Sequence, residues 1–157
     1  VLASPNGATC SQYGRQVPFL FVGTLINAEA VAAVVAALLA TRSDLAVTII
    51  ACGERWNVPS ISPKGEEMRV AIEDYLGAGA LLSYLPYAKS PEAVVCEGAF
   101  RQAKDQLAAL LWECGSGREL RARGFEQDVV HASQLNRYQT VPAMRDGAIC
   151  AWSRADG

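Results

Sequence analysis

Pro18-Phe19-Leu20-Phe21-Val22-Gly23-Thr24-Leu25-Ile26-Asn27 is an apolar run that stops at a Gly- and Asn-bearing loop and leads straight into helical sequence. Asn27 reads as an N-cap, Glu29 favours the first turn, and the apolar stretch Ala28 to Ala40 forms the body of a buried helix. Thr41-Arg42-Ser43-Asp44 closes that helix, and Ala46-Val47-Thr48-Ile49-Ile50-Ala51 reads as the next strand. A strand–helix–strand unit of this kind defines an α/β class. Two more runs end in the same way. Val1-Leu2-Ala3-Ser4 enters Pro5-Asn6-Gly7, and the strand ending at Ala51 enters Cys52-Gly53-Glu54-Arg55. Parallel strands deliver such loops to one edge of an open sheet, where ligands bind. The expectation is a layered α/β/α domain with a mostly parallel or mixed central sheet and an anion-binding site at the three loops.

The composition agrees with one such domain. The chain has 157 residues, of which 51% are hydrophobic and only 19% charged, enough to bury one substantial core. The net charge of −2 and the absence of a Lys/Arg cluster exclude a nucleic-acid surface. Any anion is then held locally, by backbone N–H groups, one or two arginines, or a metal. Ala28 to Ala40 is too short to cross a bilayer and carries Glu29, which leaves no membrane partner. Cys10, Cys52, Cys96, Cys114 and Cys150 are odd in number, widely spaced and without a CxxC pair. They indicate reduced thiols in a cytoplasmic protein rather than a zinc site or a disulfide framework. The chain opens on Val1, already inside a strand, which points to an upstream part.

Further along, Asn57 to Gly65 reads as a loop and about Glu66 to Leu76 as a helix that breaks at Gly77-Ala78-Gly79. The glycine pair marks a helix end, a close backbone approach, or both. Ala80 to Leu85 is another short strand or a continuation of the helix. Ser90-Pro91-Glu92 supplies an N-cap, a proline at the first helical position and an acid in the first turn. From there Cys96, Phe100, Ala103, Leu107 and Leu110 or Leu111 make one apolar face that Gly115 ends. Ser116 and Glu119 are spaced as a capping box. Gly124 stops that helix, Asp128 to Leu135 forms another, and Ala148 to Trp152 reads as a strand after Val141-Pro142.

Several residues carry chemistry. Asn6-Gly7 is an ordinary turn or a ligand loop, and Asn27 is a cap at a helix start whose free N–H groups also suit an anion. Glu54-Arg55 follows a strand directly, and the planar guanidinium fork of Arg55 matches phosphate or sulfonate oxygens unless the two charges form a surface ion pair. Glu73-Asp74 lies in an otherwise apolar stretch, with Arg69 four residues before Glu73 as a helix-face partner. Adjacent acids project about 100° apart on a helix, so one can bind a metal while the other supports it. A solvated face is the competing reading. His131 has no nucleophile or metal partner near it in sequence, and neither it nor the cysteines receive a role.

Taken in order, these blocks resemble a known family. Ser4-Pro5-Asn6-Gly7, Gly23-Thr24-Leu25-Ile26-Asn27-Ala28-Glu29, Cys52-Gly53-Glu54-Arg55 and Glu73-Asp74-Tyr75-Leu76-Gly77-Ala78-Gly79-Ala80 are similar to successive blocks of the 2-phosphosulfolactate phosphatase (ComB) family. Ser116-Gly117-Arg118-Glu119-Leu120, Gly124-Phe125, Asp128-Val129 and Val141-Pro142 continue the resemblance.

The resemblance implies a Mg²⁺-dependent phosphoric monoester hydrolase that converts 2-phosphosulfolactate to sulfolactate and phosphate, a step toward coenzyme M. It implies substrate contacts at Asn6, Gly7, Asn27 and Arg55, catalytic roles for Glu54 and Arg55, and metal binding at Glu73 and Asp74. The partner is a small acidic phosphorylated substrate, and a homo-oligomer is left open. Family members are longer and carry an N-terminal half with an Asp-x-x-Arg-type block. Residues 1–157 therefore resemble a single α/β domain forming the C-terminal part of a family-type chain. The alternative is a non-catalytic anion- or nucleotide-binding α/β module using the same helix termini.

Overall fold

A computed structural model of the chain describes residues 6–55 and 67–153. The strands expected at Val1–Ser4, the loop from Asn57 to Gly65 and the helix start at Glu66 lie wholly or partly outside these residues. In order, the elements are α1 (Gly7–Gly14), α2 (Ala28–Thr41), β1 (Glu54–Arg55), β2 (Met68–Arg69), α3 (Ile72–Tyr84), α4 (Pro91–Ala103), α5 (Leu107–Glu113), α6 (Gly115–Ala122), α7 (Glu126–Ala132), β3 (Pro142–Arg145) and β4 (Ala148–Ala151). No helix among the described residues is long and apolar enough to cross a membrane.

The class is mixed α and β, but the described strands do not build a layered central sheet. They form two separate antiparallel pairs, β1 with β2 and β3 with β4. Asp146 and Gly147 turn the second hairpin with φ of 49° and 80°, the positive pair that a two-residue type I′ loop requires. The segment before Gly23 does extend, yet it runs antiparallel to β3. Val22 N donates to Pro142 O at 2.9 Å, and Met144 N donates to Leu20 O at 2.9 Å. Phe19 and Phe21 pack edge-on against Trp152, with ring centroids 5.9 and 5.1 Å apart. The run from Ala46 to Ala51 forms no ladder among the described residues, and Ile50 is 64% exposed. Its β-branched residues suit a strand, but only Ile49 packs against the core.

The core lies where α3 crosses α4 on one side and α2 on the other, with Leu25, Val31, Leu76, Leu81, Phe100 and Leu107 inside. Helix α2 is fully buried over its first turns only, at Ala28, Ala30, Val31 and Ala32. Helix α3 starts six residues later than the sequence suggests and runs through Gly77 and Gly79 to Tyr84, so Ala80 onward continues the helix. Pairing of Met68-Arg69 with Glu54-Arg55 withdraws those residues from the helix. Gly79 permits a close helix crossing. A Cβ there would stand 2.5 Å from Cys96 O and 2.7 Å from Phe100 Cβ, so the glycine marks an approach and not a break.

Helix α4 begins as expected, with Ser90 Oγ accepting from Ala93 N at 3.3 Å and Pro91 at the first position. A 3₁₀ turn at Lys104–Gln106 divides the long helix, while Cys96, Phe100, Leu107 and Leu111 keep one buried face across it. The cap of α6 is Cys114 and not Ser116. The Cys114 sulfur accepts from Gly117 N at 3.3 Å, Ser116 Oγ is buried without a partner, and Glu119 pairs elsewhere. Helix α7 starts at Glu126 rather than Asp128.

Candidate active site

The loop after the 46–51 run turns at Gly53, whose φ of 71° needs a residue without Cβ. That turn aims the Gly53 N–H at the Asp74 carboxylate in the first turn of α3, and it sends Glu54 back toward the start of α1. Asn6 Nδ2 donates to Glu54 Oε1 at 2.6 Å, and the same oxygen accepts from Arg55 N at 2.8 Å. Asn6 Oδ1 is buried with no partner. Asn6-Gly7 opens α1 rather than forming a free turn, with Gly7 O accepting from Ser11 Oγ at 2.9 Å. Three elements distant in sequence thus bring Asn6, Glu54 and Asp74 into one half-buried cluster.

The charges in this cluster work against one another. Burial pushes the Asp74 carboxyl above the ordinary carboxylate range, and the charges of Glu73 and Glu54 push the same way against the Gly53 N–H. Beside it, burial, the hydrogen-bonded Cys10 thiol and the Asp74 charge push the Cys52 thiol up to about 11. Cys52 is therefore a neutral thiol at physiological pH. Glu73 diverges from Asp74, as neighbours on a helix must, and its Oε2 lies 3.8 Å from Cys114 Sγ at the start of α6. Burial and the Glu73 charge raise the Cys114 thiol against the Gly117 N–H.

Two expected residues do not join the cluster. Asn27 occupies the N-cap position of α2, but its side chain does not cap that helix. Oδ1 accepts from Thr24 N at 2.8 Å and Thr24 Oγ1 at 3.2 Å, while Nδ2 donates to Val22 O and Thr140 O. All its hydrogen-bonding capacity serves the framework. The α2 terminus is occupied from outside by Asn136, whose Oδ1 accepts from Glu29 N at 2.9 Å. Arg55 is exposed on β1, and among the described residues its guanidinium makes no ion pair. His131 lies at the surface, its ring 5.6 Å from that of Tyr138.

Arg69 does not lie on the helix face that its spacing from Glu73 predicts. It sits on β2, opposite Glu54, and its Nη2 donates to both carboxylate oxygens of Glu119 at 2.9 Å. No helix-face pair with Glu73 forms, because residue 69 precedes the helix. The only local signal for this position was the Cys52-Gly53-Glu54-Arg55 block, whose antiparallel partner a sequence does not name.

No group of three or more His, Cys, Asp or Glu side chains among the described residues is placed to hold a metal ion. Mg²⁺ sites typically use one or two protein carboxylates completed by water and substrate oxygens, and Glu73 and Asp74 are donors of that type. Asn6 Oδ1, buried and unpartnered beside Glu54, is a hard oxygen in keeping with it.

A mixed α/β domain that gathers an amide, carboxylates and a backbone N–H at the mouth of one loop has the make-up of a small-molecule site. The chain belongs to the 2-phosphosulfolactate phosphatase family, whose profile, described as 2-phosphosulpholactate phosphatase, matches residues 1–147. It is 25% identical over 141 residues to a probable 2-phosphosulfolactate phosphatase of Gloeobacter violaceus, a match covering 90% of this chain and 53% of that one. A protein of the same description from Carboxydothermus hydrogenoformans is 27% identical over 147 residues, with the same coverage of both chains. A third, from Pseudothermotoga lettingae, is 32% identical over 79 residues, half of this chain and 35% of that one. The chain spans about half the length of the first of these relatives.

Proposed function

We propose that these residues form the C-terminal part of a Mg²⁺-dependent phosphatase that hydrolyses an acidic phosphomonoester such as 2-phosphosulfolactate to sulfolactate and phosphate. Family membership supports the reaction class. The observation that carries the site is the convergence of Asn6, Glu54, Gly53 N–H and Asp74 at one loop. In this reading Asp74 would hold Mg²⁺, with Glu73 in support. When bound, Mg²⁺ supplies charge neutralisation on the phosphoryl group. Glu54, oriented by Asn6, accepts a proton from the attacking water. Attack at phosphorus breaks the P–O ester bond, and its electron pair leaves with the alkoxide oxygen, which takes a proton to give the alcohol. Arg55 at the rim meets incoming anionic groups, and Gly7 lines the approach. Asn27 contributes through the framework.

The same reading makes the exposed 46–51 run a strand of a layered α/β/α sheet in the full-length protein, which would cover Val47 and Ile50. It assigns the enzyme to the cytoplasm and to a step toward coenzyme M, and it leaves room for a homo-oligomer. The test is phosphate release from 2-phosphosulfolactate by the full-length protein, with and without Mg²⁺. Release that stops on chelation and returns with Mg²⁺ is expected. Binding of the ester without release supports a non-catalytic module instead.

A further inference from the structure

Two thiols beside the acidic cluster have a chemistry of their own. Asn6 Nδ2 donates to Glu54 Oε1 at 2.6 Å and pins the start of α1 to the start of β1. Cys10 stands one helical turn beyond that clamp, its N–H donating to Asn6 O at 3.0 Å. Cys52 stands two residues before it on the other segment. Four helical residues rise about 6 Å, and two residues of any chain span at most about 7 Å. The same anchor therefore keeps both residues close, and their thiols are hydrogen-bonded to each other. The remaining sulfurs are engaged elsewhere. Cys96 Sγ reaches Tyr75 O at 3.3 Å, Cys114 Sγ reaches Leu111 O at 3.2 Å, and Cys150 Sγ reaches Ala143 O at 3.8 Å. All five cysteines are free thiols. Helix α1 has no buried residue, and Thr9, Gln12 and Tyr13 on it are exposed. A solvent-borne oxidant thus reaches Cys10, and the helix is free to shift as the sulfurs close to the ~2.05 Å of an S–S bond.

We infer that Cys10 and Cys52 form a reversible disulfide, a redox switch acting on the neighbouring Asn6–Glu54 contact. The oxidant is a low-molecular-weight disulfide of the oxidised-glutathione class. Cys10 Sγ gives up its proton and attacks one sulfur of that molecule, whose S–S bond breaks. One half leaves as a thiolate and takes the proton. Cys52 Sγ then gives up its proton and attacks Cys10 Sγ, releasing the second half as a thiol. The protein loses two electrons and two protons, and the oxidant gains both. The new bond draws Cys52 toward α1 and turns Gly53 and Glu54 with it, out of the position in which Asn6 holds the carboxylate. A transient, regulatory bond of this kind suits thiols that are otherwise reduced. The effect on turnover rests on the phosphatase reading, whereas the disulfide itself does not.

The test equilibrates the full-length protein with mixtures of reduced and oxidised glutathione, traps free thiols by alkylation and maps the peptides by mass spectrometry. A Cys10–Cys52 linked pair, lighter by two hydrogens and lost again with dithiothreitol, is expected. In the same samples phosphate release is expected to fall about 10-fold or more on oxidation, as misplacing a reacting group does, and to return on reduction. Cys10→Ser is expected to keep its turnover through the oxidising treatment. No Cys10–Cys52 link at any glutathione ratio, or links only to Cys96, Cys114 or Cys150, overturns the pair without needing a variant. A link that leaves turnover unchanged overturns the switch. A link in a protein that releases no phosphate even when reduced supports the disulfide and removes the phosphatase reading.

Discussion

Asn6 Nδ2 and Glu54 Oε1 meet at 2.6 Å across 48 residues of sequence, joining the start of α1 to the first residue of β1. The bond fixes the direction of a carboxylate that the proposed mechanism uses as the proton acceptor. Glu54→Gln keeps the size and loses the charge. It is expected to lower kcat by about 100-fold or more with KM little changed, the range for loss of a general base. Asn6→Ala, which frees the orientation but leaves the carboxylate, is expected to cost roughly 10-fold. Steady-state phosphate release checks both, and an unimpaired Glu54→Gln enzyme rules out the base assignment.

Asp74 carries a stability cost with a defined sign. Its native carboxyl is raised above the unperturbed value of 3.8, chiefly by burial and then by the charge of Glu73. An acid raised in the native state holds its proton more tightly there, so folding is favoured at low pH. That advantage fades as pH climbs through the carboxylate range. Asp74→Asn is therefore expected to raise the melting temperature at neutral pH by about 1–3 °C, a modest gain because the group is partly screened by solvent. The gain should vanish in melts below the unperturbed value. A neutral-pH loss contradicts the burial argument.

Cys52 reports on the same neighbourhood. With its thiol pushed up to about 11 by burial, Cys10 and Asp74, little thiolate exists near neutrality. Alkylation by iodoacetamide at about pH 8, followed by peptide mass spectrometry, should label Cys52 roughly 100-fold more slowly than an unperturbed thiol. Asp74→Asn should speed that labelling by removing a nearby negative charge. Fast labelling in the wild type places Cys52 outside the cluster.

Two glycines in neighbouring helices should respond oppositely to alanine. Gly79 faces Cys96 O and Phe100 Cβ, so a methyl there must push α3 from α4, at a cost of about 1–3 kcal/mol. Gly98, on the exposed side of α4, has nothing within 4 Å of a Cβ, and alanine should stabilise by about 0.5–1 kcal/mol through helix propensity. Urea denaturation of the two variants separates these signs.

This contrast shows where the sequence was legible. Ser90-Pro91 announced the start of α4 through local chemistry, and the 3–4 spacing from Cys96 to Leu111 marked a face that is buried. The Cys52-Gly53-Glu54 block was recognisable because a positive-φ glycine after an apolar run is a local requirement. Long-range partners were not legible. Gly79 reads as a helix breaker until Phe100 stands against it. Asn27 reads as a cap until Thr24, Val22 and Thr140 engage its side chain and Asn136 takes over the helix end. Arg69 was paired with Glu73 on a helical spacing, whereas Glu119 lies 50 residues away. The apolar run at 46–51 reveals β propensity but cannot name the strand beside it.

The central claim is that the carboxylate of Asp74 serves a metal-dependent phosphatase site. The direct measurement is turnover of 2-phosphosulfolactate by wild-type and Asp74→Asn full-length proteins at saturating Mg²⁺, with folding of both verified by thermal melts. A fall of roughly 100-fold or more in a folded variant is predicted, as expected for loss of a metal-holding carboxylate. Equal turnover would contradict the account.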